Sequence, residues 1–94
     1  MKLRWLPASL HDIERLYAFL IDKDSDAAAR AMETILIGAS KLQDMPELGK
    51  PINDDTGRRE LYLPFGAGAF VLRYKLDGEA VVIIRVWHSR ENRA

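Results

Sequence analysis

The chain has no cysteine, only two histidines and no excess charge of either sign, with Lys plus Arg and Asp plus Glu each numbering 14 in 94 residues. Without cysteine there is neither a disulfide framework nor a thiolate metal site, which fits a reducing cytoplasm. His11 and His88 fall in unrelated stretches and are too few to anchor zinc or iron, so no metal and no cofactor is expected. Balanced charge argues against a protein that grips nucleic acid through many phosphates, because such proteins carry a basic excess. No run approaches the roughly 20 apolar residues of a membrane span, and Met1 to Pro7 lacks the apolar core of a secretion signal. Gly66-Ala67-Gly68 lacks the third glycine and following helix of a phosphate-cradling loop, and reads as a hairpin turn. The expectation is a soluble cytoplasmic protein of one domain with no membrane partner, since this length serves one modest core and not two.

Periodicity orders the chain as strand, helix, helix, strand, strand, strand. Lys2 to Leu6 alternates and stops at Pro7. Ser9 is placed to cap a first helix, with Leu10, Ile13, Leu16, Tyr17 and Leu20 as its buried stripe and Asp12, Glu14 and Arg15 facing out; it ends near Ile21 or Asp22. Ser25 or Asp26 can cap a second helix, carrying Ala28, Ala31, Met32, Ile35, Leu36, Ala39 and Leu42 inward, and the two helices form an antiparallel hairpin. Gly38 lies inside the second helix, where it lowers stability against Ala by about 1 kcal/mol and allows close approach of the neighbouring helix. Gln43 to Gly57 is rich in turn formers and reads as a loop. Arg59 to Leu63, Ala69 to Leu76 and Glu79 to His88 alternate as three strands of an antiparallel meander, the last two joined at Asp77-Gly78. These three and the first strand make one sheet in an α+β fold.

In the last strand Val82, Ile84, Val86 and His88 would share one face, and Val81, Ile83, Arg85 and Trp87 the other. Both faces are largely apolar, which points to a sheet face in need of a partner. His88 beside Arg85, Arg90 and Glu91 has the chemistry for acid–base attack on RNA, with arginine stabilising the phosphorane. The structural reading, in which the same histidine ends its strand and bonds a loop carbonyl, is the favoured one, because strand-end histidines are common. Arg59, Arg73, Arg85 and Arg90 form an anion-binding patch if they converge at one sheet edge, and are otherwise strand arginines paired with Glu60 or Glu79. Trp5 and Trp87 read as packing groups.

The order of elements, with Arg59-Glu60-Leu61, Phe70-Val71-Leu72-Arg73-Tyr74 and Arg85-Val86-Trp87-His88-Ser89-Arg90, resembles the RelE/ParE superfamily of bacterial toxins over essentially the whole chain, and within it the ParE branch. That resemblance implies a type II toxin held inactive by a cognate antitoxin, whose disordered segment folds across the toxin's helices and sheet. RelE-type members cut messenger RNA in the ribosome with basic residues and a C-terminal tyrosine; ParE-type members poison DNA gyrase. In this sequence the nuclease branch's arginine position falls at Val71, its paired lysines near Glu60 and Tyr62, and no tyrosine follows Tyr74. His88 and Arg90 are what survives, with Ser89 standing where histidine-using nucleases carry tyrosine. The resemblance therefore implies a gyrase poison without catalytic chemistry. Its alternatives are a ribosome-dependent endonuclease using His88, Arg85 and Arg90, and a non-toxic antitoxin-binding remnant. Target contacts are expected from Arg59, Arg73, Arg85, His88 and Arg90, and antitoxin contacts from Leu16, Leu20, Val81, Ile83 and Trp87.

Overall fold

A computed structural model describes residues 1–91. Its elements are β1 (Lys2–Trp5), α1 (Pro7–Ile21), α2 (Ser25–Asp44), β2 (Lys50–Pro51), β3 (Arg59–Phe65), β4 (Gly68–Asp77) and β5 (Ala80–His88). The strands form one mixed sheet in the order β1-β5-β4-β3-β2, in which only the β1–β5 pair is parallel. The two-residue β2 lies within the stretch expected to be all loop, and pairs with Arg59 and Glu60 at the start of β3.

Helix α1 starts earlier than Ser9. Leu6 is its N-cap and Pro7 its first residue, where a missing N–H and a fixed φ cost nothing. Ser9 sits within the first turn and donates to the Leu6 carbonyl at 2.7 Å. The buried face is rotated from the expected stripe: Ser9, Asp12 and Leu16 are buried, while Leu10 and Tyr17 are exposed. Asp24, rather than Ser25 or Asp26, caps α2, its carboxylate accepting the Ala27 N–H at 3.1 Å. Within α2, Ala28, Ala31, Ile35, Ala39 and Leu42 are buried as expected, and Leu36 is exposed.

Gly38 permits close approach, but of β3 and not of α1. A Cβ added there would collide with the Leu63 side chain unless that side chain moved. Both hairpins turn on a glycine at the first of two loop positions with positive φ, Gly66 at 59° and Gly78 at 59°. The second loop is therefore Gly78-Glu79, with Asp77 still paired to Ala80.

A bulge in β5 overturns the face assignment read from strict alternation. Arg73 pairs with Arg85 but Tyr74 with Ile83, so Ile84 is the extra residue and the alternation changes phase across it. Val81, Ile83, Val86 and His88 thus share the helix-covered face with Phe70, Leu72 and Tyr74, whereas Val82, Arg85 and Trp87 share the opposite one. The core lies between this first face and the two helices, centred on Ile35, Leu42, Phe70, Leu72, Tyr74 and Ile83. Tyr74 is wholly buried; its hydroxyl donates to the Pro46 carbonyl and accepts the Gly49 N–H, both at 2.8 Å, pinning the loop after α2.

Candidate functional site

Strand β1 is shorter than β5, and this mismatch organises the chemistry at the C-terminal end of the sheet. Beyond Ile83, whose carbonyl accepts the Leu6 N–H, β5 keeps β4 on one side but has no strand on its β1 side, which faces α1. Its backbone groups there still require partners. Asp12 Oδ2 accepts the Val86 N–H at 2.8 Å, and the Arg15 guanidinium donates to the Val86 carbonyl at 3.2 Å. Glu91 accepts the His88 N–H at 3.3 Å. Three side chains thus replace the missing stretch of strand.

The same groups form an ion-pair chain. Asp12, 1% exposed, accepts from Arg85 Nε at 2.8 Å and Nη2 at 3.1 Å, and from Arg15 one turn along its own helix. Arg15 Nε also donates to Glu91 at 2.7 Å. Burial alone would raise the Asp12 carboxyl, but Arg85, the Val86 amide and Arg15 together hold it below the ordinary carboxylate range. Glu91 behaves alike: burial acts upward, and Arg15 with the His88 amide brings the net shift down. Asp12 was expected to face out and Arg85 to reach a target; they bind each other. A sequence signal existed in the spacing of Asp12 and Arg15, three apart on one helix, and in an arginine set within an apolar strand.

His88 bonds a loop carbonyl. Its Nε2 lies 2.9 Å from the Phe65 carbonyl oxygen, which can only accept, and its Nδ1 accepts the Arg90 N–H at 3.2 Å. Both ring nitrogens are therefore committed to backbone, and the ring stands edge-on to Phe70 with centroids 5.1 Å apart.

The arginines do not converge. Arg59 donates to the carbonyls of Glu47 and Gly49, Arg85 to Asp12, and Arg73 to Glu60, as the cross-strand alternative supposes, with Nη2–Oε2 at 2.7 Å. Of these four, Arg90 stands near His88, and both line, with Arg15 and Glu91, a groove of about 570 Å³ between α1, the β3–β4 turn and the end of β5. Leu16, Phe19, Leu20, Phe65 and Phe70 make its walls apolar. Of the residues expected to meet an antitoxin, Leu16 and Leu20 line this groove, Val81 and Ile83 are fully buried in the core, and Trp87 is on the far side of the sheet. The five do not share one surface.

The helix-free side of the sheet has its own order. Tyr62, Val71 and Trp87 stand abreast across β3, β4 and β5; Glu60, Arg73 and Arg85 form the next row. Beyond the bulge, Lys75 and Val82 abut Arg4 of β1. Arg73 lies over the Trp87 ring, 5.0 Å from its centroid, and Tyr62 donates to Glu60 at 3.1 Å. Glu60, Tyr62 and Val71, the positions at which the resemblance puts the nuclease branch's basic residues, are thus neighbours on one face. Among the described residues no cluster of His, Cys, Asp and Glu could hold a metal ion.

A strand, a helical hairpin and an antiparallel meander closing on the first strand define the toxin fold of the RelE/ParE superfamily. Two solved structures share it: the chromosomal ParDE system from P. aeruginosa, at TM-score 0.74 and 20% identity over 94% of this chain and 95% of the other, and the toxin–antitoxin complex RelBE2 from Mycobacterium tuberculosis, at 0.60 and 24% over 93% and 95%. The family model described as "ParE toxin of type II toxin-antitoxin system, parDE" matches residues 3–93, and the chain belongs to that family. Among curated relatives, Toxin RelE1 of Caulobacter vibrioides is 37% identical over 82 residues, covering 87% of this chain and 86% of its own. Toxin RelE3 of the same organism is 38% identical over 87 residues, covering 93% and 92%. The protein is a toxin of a type II toxin–antitoxin system.

Proposed function

We propose that this toxin arrests growth by binding DNA gyrase, without cutting RNA, and that its cognate antitoxin seats an apolar segment in the groove beside α1. The observation that carries the first half is the bonding of His88. A general acid or base needs a ring nitrogen available to substrate, and both nitrogens are held by backbone partners. The positions of the nuclease branch's cations support the same reading, since Glu60, Tyr62 and Val71 supply no positive charge to stabilise a phosphorane. For the antitoxin, support comes from the groove's apolar walls and from the solved neighbours, which are toxin–antitoxin systems.

Supercoiling by purified gyrase should fall as the toxin is added, and the His88→Ala variant should inhibit as well as the parent. The names of the two Caulobacter relatives favour a second reading, a ribosome-dependent endonuclease. On that reading the toxin cleaves translated message and His88→Ala abolishes cleavage. Translating ribosomes incubated with toxin, and the message mapped for cuts, separate the two readings.

A further inference from the structure

The helix-free face of the sheet has features that packing alone does not require. Val71 and Val82 at its centre are 2% and 1% exposed although no described element covers them, so the long side chains around them lie inward as a lid. Three of those side chains are locked in place. Arg73 is stacked on Trp87 and bonded twice to Glu60, and Glu60 also accepts the Tyr62 hydroxyl. Tyr62 remains 54% exposed beside them. Tyrosine, tryptophan and arginine dominate the energetics of protein interfaces, and a cluster already held in one conformation loses little entropy on binding.

Charge on the face has a basic excess at its β1 end. Arg73 pairs with Glu60, Arg85 with Asp12 and the exposed Arg4 with Asp77, so the five cations Arg73, Arg85, Arg4, Lys75 and Lys2 meet three carboxylates and the excess lies at Lys75 and Lys2. Charges are therefore balanced in the chain but not on this side. The sheet's cation–aromatic surface is a poor platform for stacked bases, because Trp87 is only 9% exposed and already carries Arg73 on its ring. It is a suitable one for a protein surface rimmed with carboxylates.

We infer that this face is the surface that grips the toxin's protein target, with Tyr62 and Arg73 as anchors, Trp87 holding Arg73 from beneath, and Arg4 and Lys75 as a basic rim that meets acidic residues of the partner. The identity of that partner rests on the gyrase reading; the location of the surface does not.

Two variants test it. Tyr62→Ala removes an exposed ring, and Arg4→Glu with Lys75→Glu reverses the rim without touching the core; melting temperatures report that each is folded. With immobilised gyrase, Tyr62→Ala should weaken binding at least about tenfold. The double reversal should slow association and abolish its dependence on salt. Parental affinity and salt dependence in both folded variants would overturn the inference. If the parent itself does not bind gyrase, the gyrase reading fails and the face is judged on growth arrest after induction without antitoxin: arrest lost in both variants upholds it, arrest retained overturns it. Tight binding of the parent to single-stranded RNA, lost in the same variants, would assign the face to nucleic acid and refute a protein partner.

Discussion

Asp12 is the residue on which the C-terminal end of the sheet depends. Its carboxylate satisfies a buried strand amide and two guanidinium groups at once, in place of the strand that β1 is too short to provide. Asparagine at this position retains an acceptor for the Val86 N–H but loses the charge. Asp12→Asn should therefore lower unfolding stability by about 1–3 kcal/mol at neutral pH, the scale of charge-assisted hydrogen bonds. Because the folded-state pKa of Asp12 is depressed, its contribution is fully present above the ordinary value of 3.8 and is lost as pH falls through that value toward the folded one. Urea titrations across pH 7 to 2 should show the parent and variant converging at the acid end. Glu91 also carries a depressed pKa, so the variant should keep a shallower acid dependence of its own. A constant gap between the two at every pH would mean that shape, not charge, is what Asp12 supplies.

At the scale of elements, the order of strands and helices is legible from apolar spacing, and the details that are not legible share a cause. Alternation predicts faces only while the pleat is unbroken, and the bulge at Ile84 leaves no mark in a run such as Val81-Val82-Ile83-Ile84, where every residue is apolar. Val81 and Ile83 consequently read as surface when they are core. Helix α1 is misjudged by rotation, because a buried carboxylate with three donors looks, by residue type, like a solvated one. Gly38 is correctly read as a site of close approach, but the partner depends on tertiary layering that helical periodicity does not encode. Gly38→Ala should gain about 1 kcal/mol of helix propensity and lose about 1–3 kcal/mol to overpacking against Leu63. The net effect should be a lower melting temperature, and that loss should disappear when Gly38→Ala is made in a Leu63→Ala background, which carries its own truncation cost. A Gly38→Ala protein that melts higher than the parent would show that Leu63 has room to move.

For the molecule as a whole, the family is written in the sequence more clearly than its site. The expected cationic cluster at the end of β5 is divided among four places: Arg59 holds a loop, Arg73 lies on the helix-free face with Glu60, Arg85 is held by Asp12 of α1, and Arg90 stands with His88 at the groove. Each arginine has the neighbours that a three-dimensional fold supplies and a linear pattern does not. What results is a protein with two separate surfaces, an apolar groove on the helix side and a basic, aromatic face on the other. Under the proposed reading the first serves the antitoxin and the second the target, so neutralisation need not cover the surface that does harm. Supercoiling of relaxed plasmid by purified gyrase, with parent and His88→Ala toxin titrated in parallel, tests this account most directly. Equal inhibition by both proteins is the predicted result; undiminished supercoiling at saturating toxin, with message cleaved on translating ribosomes by the parent and not by His88→Ala, would contradict it.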